Sequence, residues 1–190
     1  MERYEIINAI IKKYGYKTYL EIGTQFGQGY KFIECDSKEC IDIEKKYDDL
    51  TYHMSSDDFF AQNKKTYDII FVDGLHLEHQ VTTDVLNSLK ILTPGGTIMC
   101  HDCLPPYEGF TELQHSGTCY KSIVELRCTR NDLRIATVNT DCGCSIIRVG
   151  ESTPYTAAPA NIAKEYQYWY DHQNEIMNII SVDQFKQLIG

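Results

Sequence analysis

Apolar positions along this chain recur at two spacings, one of two residues and one of three to four, and the two alternate. Ile6, Ile7, Ile10, Ile11 and Tyr14 follow the longer spacing, which predicts an amphipathic helix over 3–14 closed by Gly15. The run Thr18-Tyr19-Leu20-Glu21-Ile22 predicts a buried strand over 17–23 that breaks into Gly23, Gly27 and Gly29. A short helix over about 27–33 is expected next, then a strand near 38–43 ending at Asp42 and Glu44, then a third strand over 51–55. Ser56-Asp57-Asp58-Phe59-Phe60 reads as a helix start with a serine or aspartate cap. Tyr67-Asp68-Ile69-Ile70-Phe71-Val72 is a clear strand ending at Asp73-Gly74. Leu77, Val81, Val85, Leu89 and Leu92 then stripe a helix that Thr93-Pro94-Gly95-Gly96 stops, and Thr97–Cys100 is a strand ending at His101-Asp102.

Residues 103–117, with two prolines and two glycines, read as a loop, and a helix over 118–128 follows. Strands over 133–139 and 144–149 flank Asp141-Cys142-Gly143, a hairpin turn. After a polar linker, Ile162, Tyr166, Trp169, Ile176 and Ile180 predict one helix over about 160–179 whose aromatic stripe serves core or dimer contact. Ser181-Val182-Asp183-Gln184 matches a capping box opening a last short helix.

Strands alternating with helices predict an α/β fold, a mostly parallel sheet of seven strands with helices on both faces and an antiparallel strand from the final hairpin. Residues 1–190 are read as one domain: a helix over 1–16, a core over 17–149 and a helical extension over 150–190. Ligands of such sheets bind beyond the carboxyl ends of the strands. The polar residues at those ends are Glu21, Asp42, Glu44, Asp73, His76, His101 and Asp102, all expected on one rim.

Composition narrows the partners. The 190 residues carry a net charge of −9, which disfavours a nucleic-acid backbone as partner. No run is long enough for a membrane span, and MERYEIINAIIKKYG lacks the pattern of a signal peptide, so a cytoplasmic protein is expected. Eight cysteines without such a signal disfavour a disulfide framework. Cys100-x-x-Cys103 with Cys142-x-Cys144 is a possible zinc spacing, but Cys100 ends an apolar strand, where a thiol ordinarily packs.

Glu21-x-Gly23-x-x-x-Gly27-x-Gly29 resembles the first motif of class I S-adenosylmethionine-dependent methyltransferases, whose fold is Rossmann-like. A nicotinamide site would more usually show G-x-G-x-x-G. Tyr67 to His76, ending Asp73-Gly74-Leu75-His76, resembles a subgroup that includes macrocin-type sugar O-methyltransferases and cephalosporin-hydroxylase-like proteins. Pro94-Gly95-Gly96 and His101-Asp102 extend the likeness, which covers about 17–149.

The resemblance implies a cofactor, S-adenosyl-L-methionine, held by Glu21, Gly23, Thr24, Gly27, Gly29, Asp42, Ser56 and Asp73. Asp42 is the first choice for the ribose hydroxyls and Glu44 the second. Ser55 and Asp57, beside Ser56, lie where the family contacts the adenine. A hydroxyl acceptor needs help losing its proton, and His76, with Asp73, is the candidate base. Asp73, His101 and Asp102 match positions that hold a divalent metal, magnesium or manganese, in metal-dependent members. Leu75 and His101 depart from that pattern, and Asp73 contacting only the methionine end without a metal is the alternative. Tyr107 and His115 lie in the loop that often shapes the acceptor pocket. The expected function is O-methylation of a small hydroxylated molecule such as a sugar, with a small-molecule acceptor and a homodimer as partners. A non-catalytic S-adenosylmethionine- or nucleotide-binding module, acting as a dimeric accessory protein, is the other reading.

Overall fold

The computed structural model describes residues 1–190. In chain order the elements are α1 (Arg3–Tyr14), β1 (Thr18–Ile22), β2 (Ser37–Asp42), β3 (Tyr52–His53), α2 (Ser56–Gln62), β4 (Tyr67–Val72), α3 (Glu78–Ile91), β5 (Leu92–Cys100), α4 (Cys119–Thr129), β6 (Leu133–Val138), β7 (Cys144–Val149), α5 (Ala160–Ala163), α6 (Tyr166–Ile176), β8 (Ile179–Ile180) and α7 (Val182–Ile189). The sheet runs β3-β2-β1-β4-β5-β7-β6-β8, with β7 antiparallel to both its neighbours. The strand order reverses between β1 and β4, the switch point at which open sheets of this kind leave a crevice.

Period-two alternation divides the core between the two faces of the sheet. Leu20, Ile22, Ile70, Val72, Ile98, Ile135 and Ile147 join α3, α4 and α6 on one face. Tyr19, Cys40, Ile69, Phe71, Met99 and Val138 join Ile6, Ile7, Ile10 and Ile11 of α1 and Phe185 of α7 on the other. Ser181 and Gln184 form the expected capping box at α7. No helix is long and apolar enough to cross a membrane.

The pattern misleads at four places. The helix expected over 27–33 is a single 3-10 turn, Tyr30–Phe32. β5 starts at Leu92, before the Pro-Gly-Gly turn, with an irregular register against β4. The single helix expected over 160–179 is two, α5 and α6. Tyr120 donates its hydroxyl to the carbonyl of Lys164, which a continuous helix would have given to residue 168. Asn178, at φ 47°, then turns the chain out of α6, and Ile179–Ile180 pair with β6. The sheet therefore has eight strands rather than seven.

Candidate active site

Gly23 follows β1 at φ +87°, and a Cβ there would lie 2.1 Å from the carbonyl oxygen of Asp73. Glycine is thus required because the ends of β1 and β4 touch, with no ligand needed to explain it. That contact places the glycine loop beside the acid ending β4. Two cavities meet over Gly23, Gln25 and Asp73. The larger, about 350 Å³, is lined by Asp42, Glu44, Ser55, Ser56, Asp57 and Asp84 among others. The smaller, about 170 Å³, is lined by Arg3, Glu21, Thr24, Gly29, His76, His101 and Asp102 among others.

In the larger cavity Asp42 is oriented by its own backbone neighbours. Its Oδ2 accepts the amide of Gln25 at 2.7 Å and its Oδ1 that of Glu44 at 2.8 Å. Each oxygen keeps a lone pair for a diol. On the opposite wall Gln80 donates to Asp84 at 3.1 Å and toward Ser56 at 3.3 Å. Burial pushes the Asp84 carboxyl up to about 6.

The smaller cavity gathers ionisable groups. His76 precedes α3, on a loop secured by Thr118, whose amide donates to the His76 carbonyl and whose hydroxyl accepts the amide of Glu78. Its Nδ1 faces the carbonyl of His115, so Nδ1 carries the proton and Nε2 is the working nitrogen. Nε2 lies 3.4 Å from Asp73 Oδ1 and 3.5 Å from Asp102 Oδ2. Burial lowers the His76 pKa, but Asp73, the His115 carbonyl and Asp102 together leave it raised.

His101 is nearly enclosed. Its Nδ1 is 3.2 Å from both Asp73 Oδ1 and Asp102 Oδ2, and its Nε2 is 3.4 Å from Asp141 Oδ1. Burial opposes its charge, yet Asp73, Asp102 and Asp141 raise its pKa well above the ordinary value. Asp73 is correspondingly held far below the usual carboxylate range: burial raises it, and His101 and His76 more than reverse that. Asp102 has φ 58° and accepts a bond from Ser116 at 2.8 Å. Glu21 is buried, accepts from the Tyr19 hydroxyl, and is pushed up to about 8, chiefly by burial.

Of the expected cofactor residues, Glu21, Gly23, Thr24, Gly29, Asp42, Ser56 and Asp73 line one cavity or both. Gly27 lines neither; it is packed against the Tyr47 ring. The expected metal group Asp73, His101 and Asp102 is brought together, and His76 joins the two carboxylates as a three-ligand set within 4.8 Å. Tyr107 and His115 line neither cavity, though the His115 carbonyl orients His76. All eight cysteines are free thiols; Cys100 and Cys103 are buried in the core beside the β5 end. Arg3, Asp141, Gln80 and Asp84 were not among the residues expected from the sequence. The amide of Arg3 donates to Asp141 at 2.9 Å and its Nη1 at 3.1 Å, across 138 positions of chain.

Residues 20–103 match the sequence model of a family described as a methyltransferase domain. That stretch, under half of the chain, is similar to a methyltransferase domain. The match runs from within β1 to just past Asp102, so it reaches the end of β5 and omits α1 and the β6–β7 hairpin. No curated protein sequence matches significantly. Solved structures share the fold at low identity. An O-methyltransferase from Bacillus cereus in complex with SAH is 13% identical, with TM-score 0.56 over 77% of this chain and 80% of that one. The O-methyltransferase TomG from Streptomyces achromogenes, in complex with SAM, is 14% identical, with TM-score 0.56 over 78% and 79%. The N-methyltransferase NodS from Bradyrhizobium japonicum WM9 is 17% identical, with TM-score 0.52 over 78% and 93%. Because acceptors of two elements appear on this fold, the atom methylated must be argued from the site.

Proposed function

We propose that the protein transfers a methyl group from S-adenosylmethionine to a hydroxyl of a small hydroxylated molecule such as a sugar. The observation that carries this reading is His76 Nε2, set between Asp73 and Asp102 at the edge of the cavity beside the glycine loop. The larger cavity suits the adenosine, with Asp42 toward the ribose and Ser56 toward the base. The smaller cavity suits the methionyl end and brings the sulfonium toward His76.

An alcohol is a weak nucleophile until its proton leaves. Neutral His76 takes that proton at Nε2 as the acceptor oxygen attacks the methyl carbon in line with the carbon–sulfur bond. The carbon–oxygen bond forms, the carbon–sulfur bond breaks, and its electron pair neutralises the sulfonium. Asp73 and Asp102 stabilise the resulting imidazolium, while the His115 carbonyl keeps Nδ1 in place. Asp73, His76 and Asp102 also form a donor set that fits a divalent cation, two carboxylate oxygens and one imidazole nitrogen. Such an ion would supply Lewis acidity to the acceptor hydroxyl, and it would occupy the lone pair that the base requires. His76 therefore serves one role at a time.

The test is transfer of labelled methyl to a panel of sugars and other alcohols, with chelator and with added magnesium or manganese. His76→Ala is expected to lower kcat by about 10²- to 10⁴-fold with cofactor affinity retained. Full activity in that variant would remove His76 as base, and absence of transfer to any acceptor despite cofactor binding would count against the enzyme reading.

A further inference from the structure

The His101 ring is engaged on one side only. Its Nδ1 faces the carboxylates of Asp73 and Asp102. Its Nε2 faces the β6–β7 turn, is buried and makes no hydrogen bond. A buried ring nitrogen without a partner calls for one. Asp141 Oδ1 stands 3.4 Å away, and Cys144, the first residue of β7, is fully buried beside them. A His101 nitrogen, an Asp141 carboxylate oxygen and the Cys144 Sγ lie within 4.8 Å of one another. This set shares no residue with the Asp73, His76 and Asp102 group, and neither Asp141 nor Cys144 lines a cofactor cavity.

The turn that supplies two of these residues is fastened to the chain that supplies the third. The amides of Cys103 and Leu104, just past His101, donate to the carbonyls of Gly143 and Cys142 at 3.1 and 2.7 Å. Arg3 holds Asp141 Oδ2 with its amide at 2.9 Å and its Nη1 at 3.1 Å, which leaves Oδ1 toward His101. An imidazole nitrogen, a carboxylate oxygen and a thiolate are donors that zinc takes at about 2.0–2.3 Å, in a tetrahedron. Ligands at those lengths stand about 3.3–3.8 Å apart. The 3.4 Å between Nε2 and Oδ1 already meets that spacing. A shift of the thiol by at most about 1 Å completes it.

We propose that His101 Nε2, Asp141 and Cys144 bind a zinc ion between the end of β5 and the β6–β7 turn. The thiol gives its proton to solvent on binding, and His101 coordinates as the neutral ring. Nδ1 then carries the ring proton and donates to Asp73, 3.2 Å away, the outer-shell arrangement that orients a ligating histidine. The positive charge of Arg3 nearby is outweighed by Asp73, Asp102, Asp141 and the thiolate. This zinc touches neither acceptor nor cofactor. It clamps the hairpin turn to the β5 end and fixes the ring against which Asp73 and Asp102 are set. Of the cysteine spacing noted in the sequence, only Cys144 contributes, while Cys100 and Cys103 stay in the core. The proposal is independent of the S-adenosylmethionine reading.

The experiment is titration of the full chain, stripped of metal, with cobalt(II) and then zinc(II). Thiolate-bound cobalt has a strong near-ultraviolet charge-transfer band that cobalt held by oxygen and nitrogen alone lacks. The parent should develop that band, saturating at one cobalt per chain, and lose it as zinc displaces the cobalt. Cys144→Ser should abolish the band. It should also weaken zinc, measured by competition with a chelating dye, by more than the roughly 10- to 100-fold that loss of an outer-shell partner costs. Cys142→Ser and His76→Ala should keep both band and stoichiometry, since neither residue belongs to the set. Asp141→Asn tolerates the φ of 47° and should weaken zinc by about tenfold or more, and it serves if the serine variant does not fold. A parent without the thiolate band would overturn the site. So would a band that survives Cys144→Ser or disappears with Cys142→Ser, or an Asp141→Asn variant with parental zinc affinity.

Discussion

Glu21 faces the smaller cavity with a carboxyl whose pKa, about 8 against an ordinary 4.5, burial has raised over the opposing bond from Tyr19. Asp73 pushes in the same direction, and Arg3 and Lys38 against it. The folded state therefore keeps a proton that the unfolded chain gives up, so stability falls as pH rises from about 4.5 to about 8. Glu21→Gln removes that loss. Thermal melts should show the variant more stable than the parent at pH 8, on the order of a few kcal/mol at roughly 1.4 kcal/mol per pKa unit, and about equal near pH 4. If the cofactor's ammonium lies beside Glu21, the same variant should bind S-adenosylhomocysteine more weakly, and the parent should bind it more tightly as pH rises through 8. The His76 pKa is raised as well. Asp73 and, further down, Asp102 raise it, so the basic form that the proposed transfer needs accumulates above the ordinary histidine range. Asp102→Asn keeps the shape and tolerates φ 58°. The rising limb of kcat/KM, measured with chelator present, should move to lower pH in that variant; an unmoved limb would show that His76 is not the group being titrated.

The elements that carry the site were readable to the extent that their signals are local. The β4 run ends at Asp73 and the β5 run at His101-Asp102 because apolar alternation stops there, and a parallel sheet aligns those ends without further instruction. The break between α5 and α6 was not readable, since it depends on a hydroxyl from α4 taking the Lys164 carbonyl. Arg3 and Asp141 were hidden for the same reason: each looks like a surface residue, one in a helix start and one in a hairpin turn, until the fold joins them. Gly117 illustrates how loops lock the site together. It has φ +56°, and a Cβ there would stand 2.0 Å from the His76 carbonyl oxygen. Gly117→Ala must push the loop after β5 away from the loop after β4. We expect a fall in kcat of about 10²-fold from misplacement of His76 on the scale of an ångström. Cofactor affinity should change much less, since the glycine loop lies elsewhere. A variant with parental kcat would mean that the His115 carbonyl and Thr118 hold His76 without Gly117.

At the scale of the whole molecule, charge would decide how the two forms of the proposed cofactor compete. The net charge is −9, and the cavities are lined by Asp42, Glu44, Asp57, Asp84, Asp73 and Asp102 against Arg3, Lys46 and two histidines. S-adenosylmethionine carries a sulfonium charge and an S-methyl group that S-adenosylhomocysteine lacks, while the adenosine and amino-acid parts are the same. A negative field therefore favours the donor over the spent product, which suits turnover. Interactions beyond the first contacts are screened by salt, whereas hydrogen bonds to adenine, ribose and carboxylate are common to both ligands and cancel in the comparison. Raising ionic strength from about 0.01 M to about 1 M shortens the screening length from about 30 Å to about 3 Å. The ratio of S-adenosylmethionine to S-adenosylhomocysteine affinity should fall by roughly two- to fivefold over that range, equivalent to about 0.4–1 kcal/mol. A ratio indifferent to salt would place the preference in short contacts at the sulfur, with Asp73 and Asp102 as the first residues to neutralise in search of them.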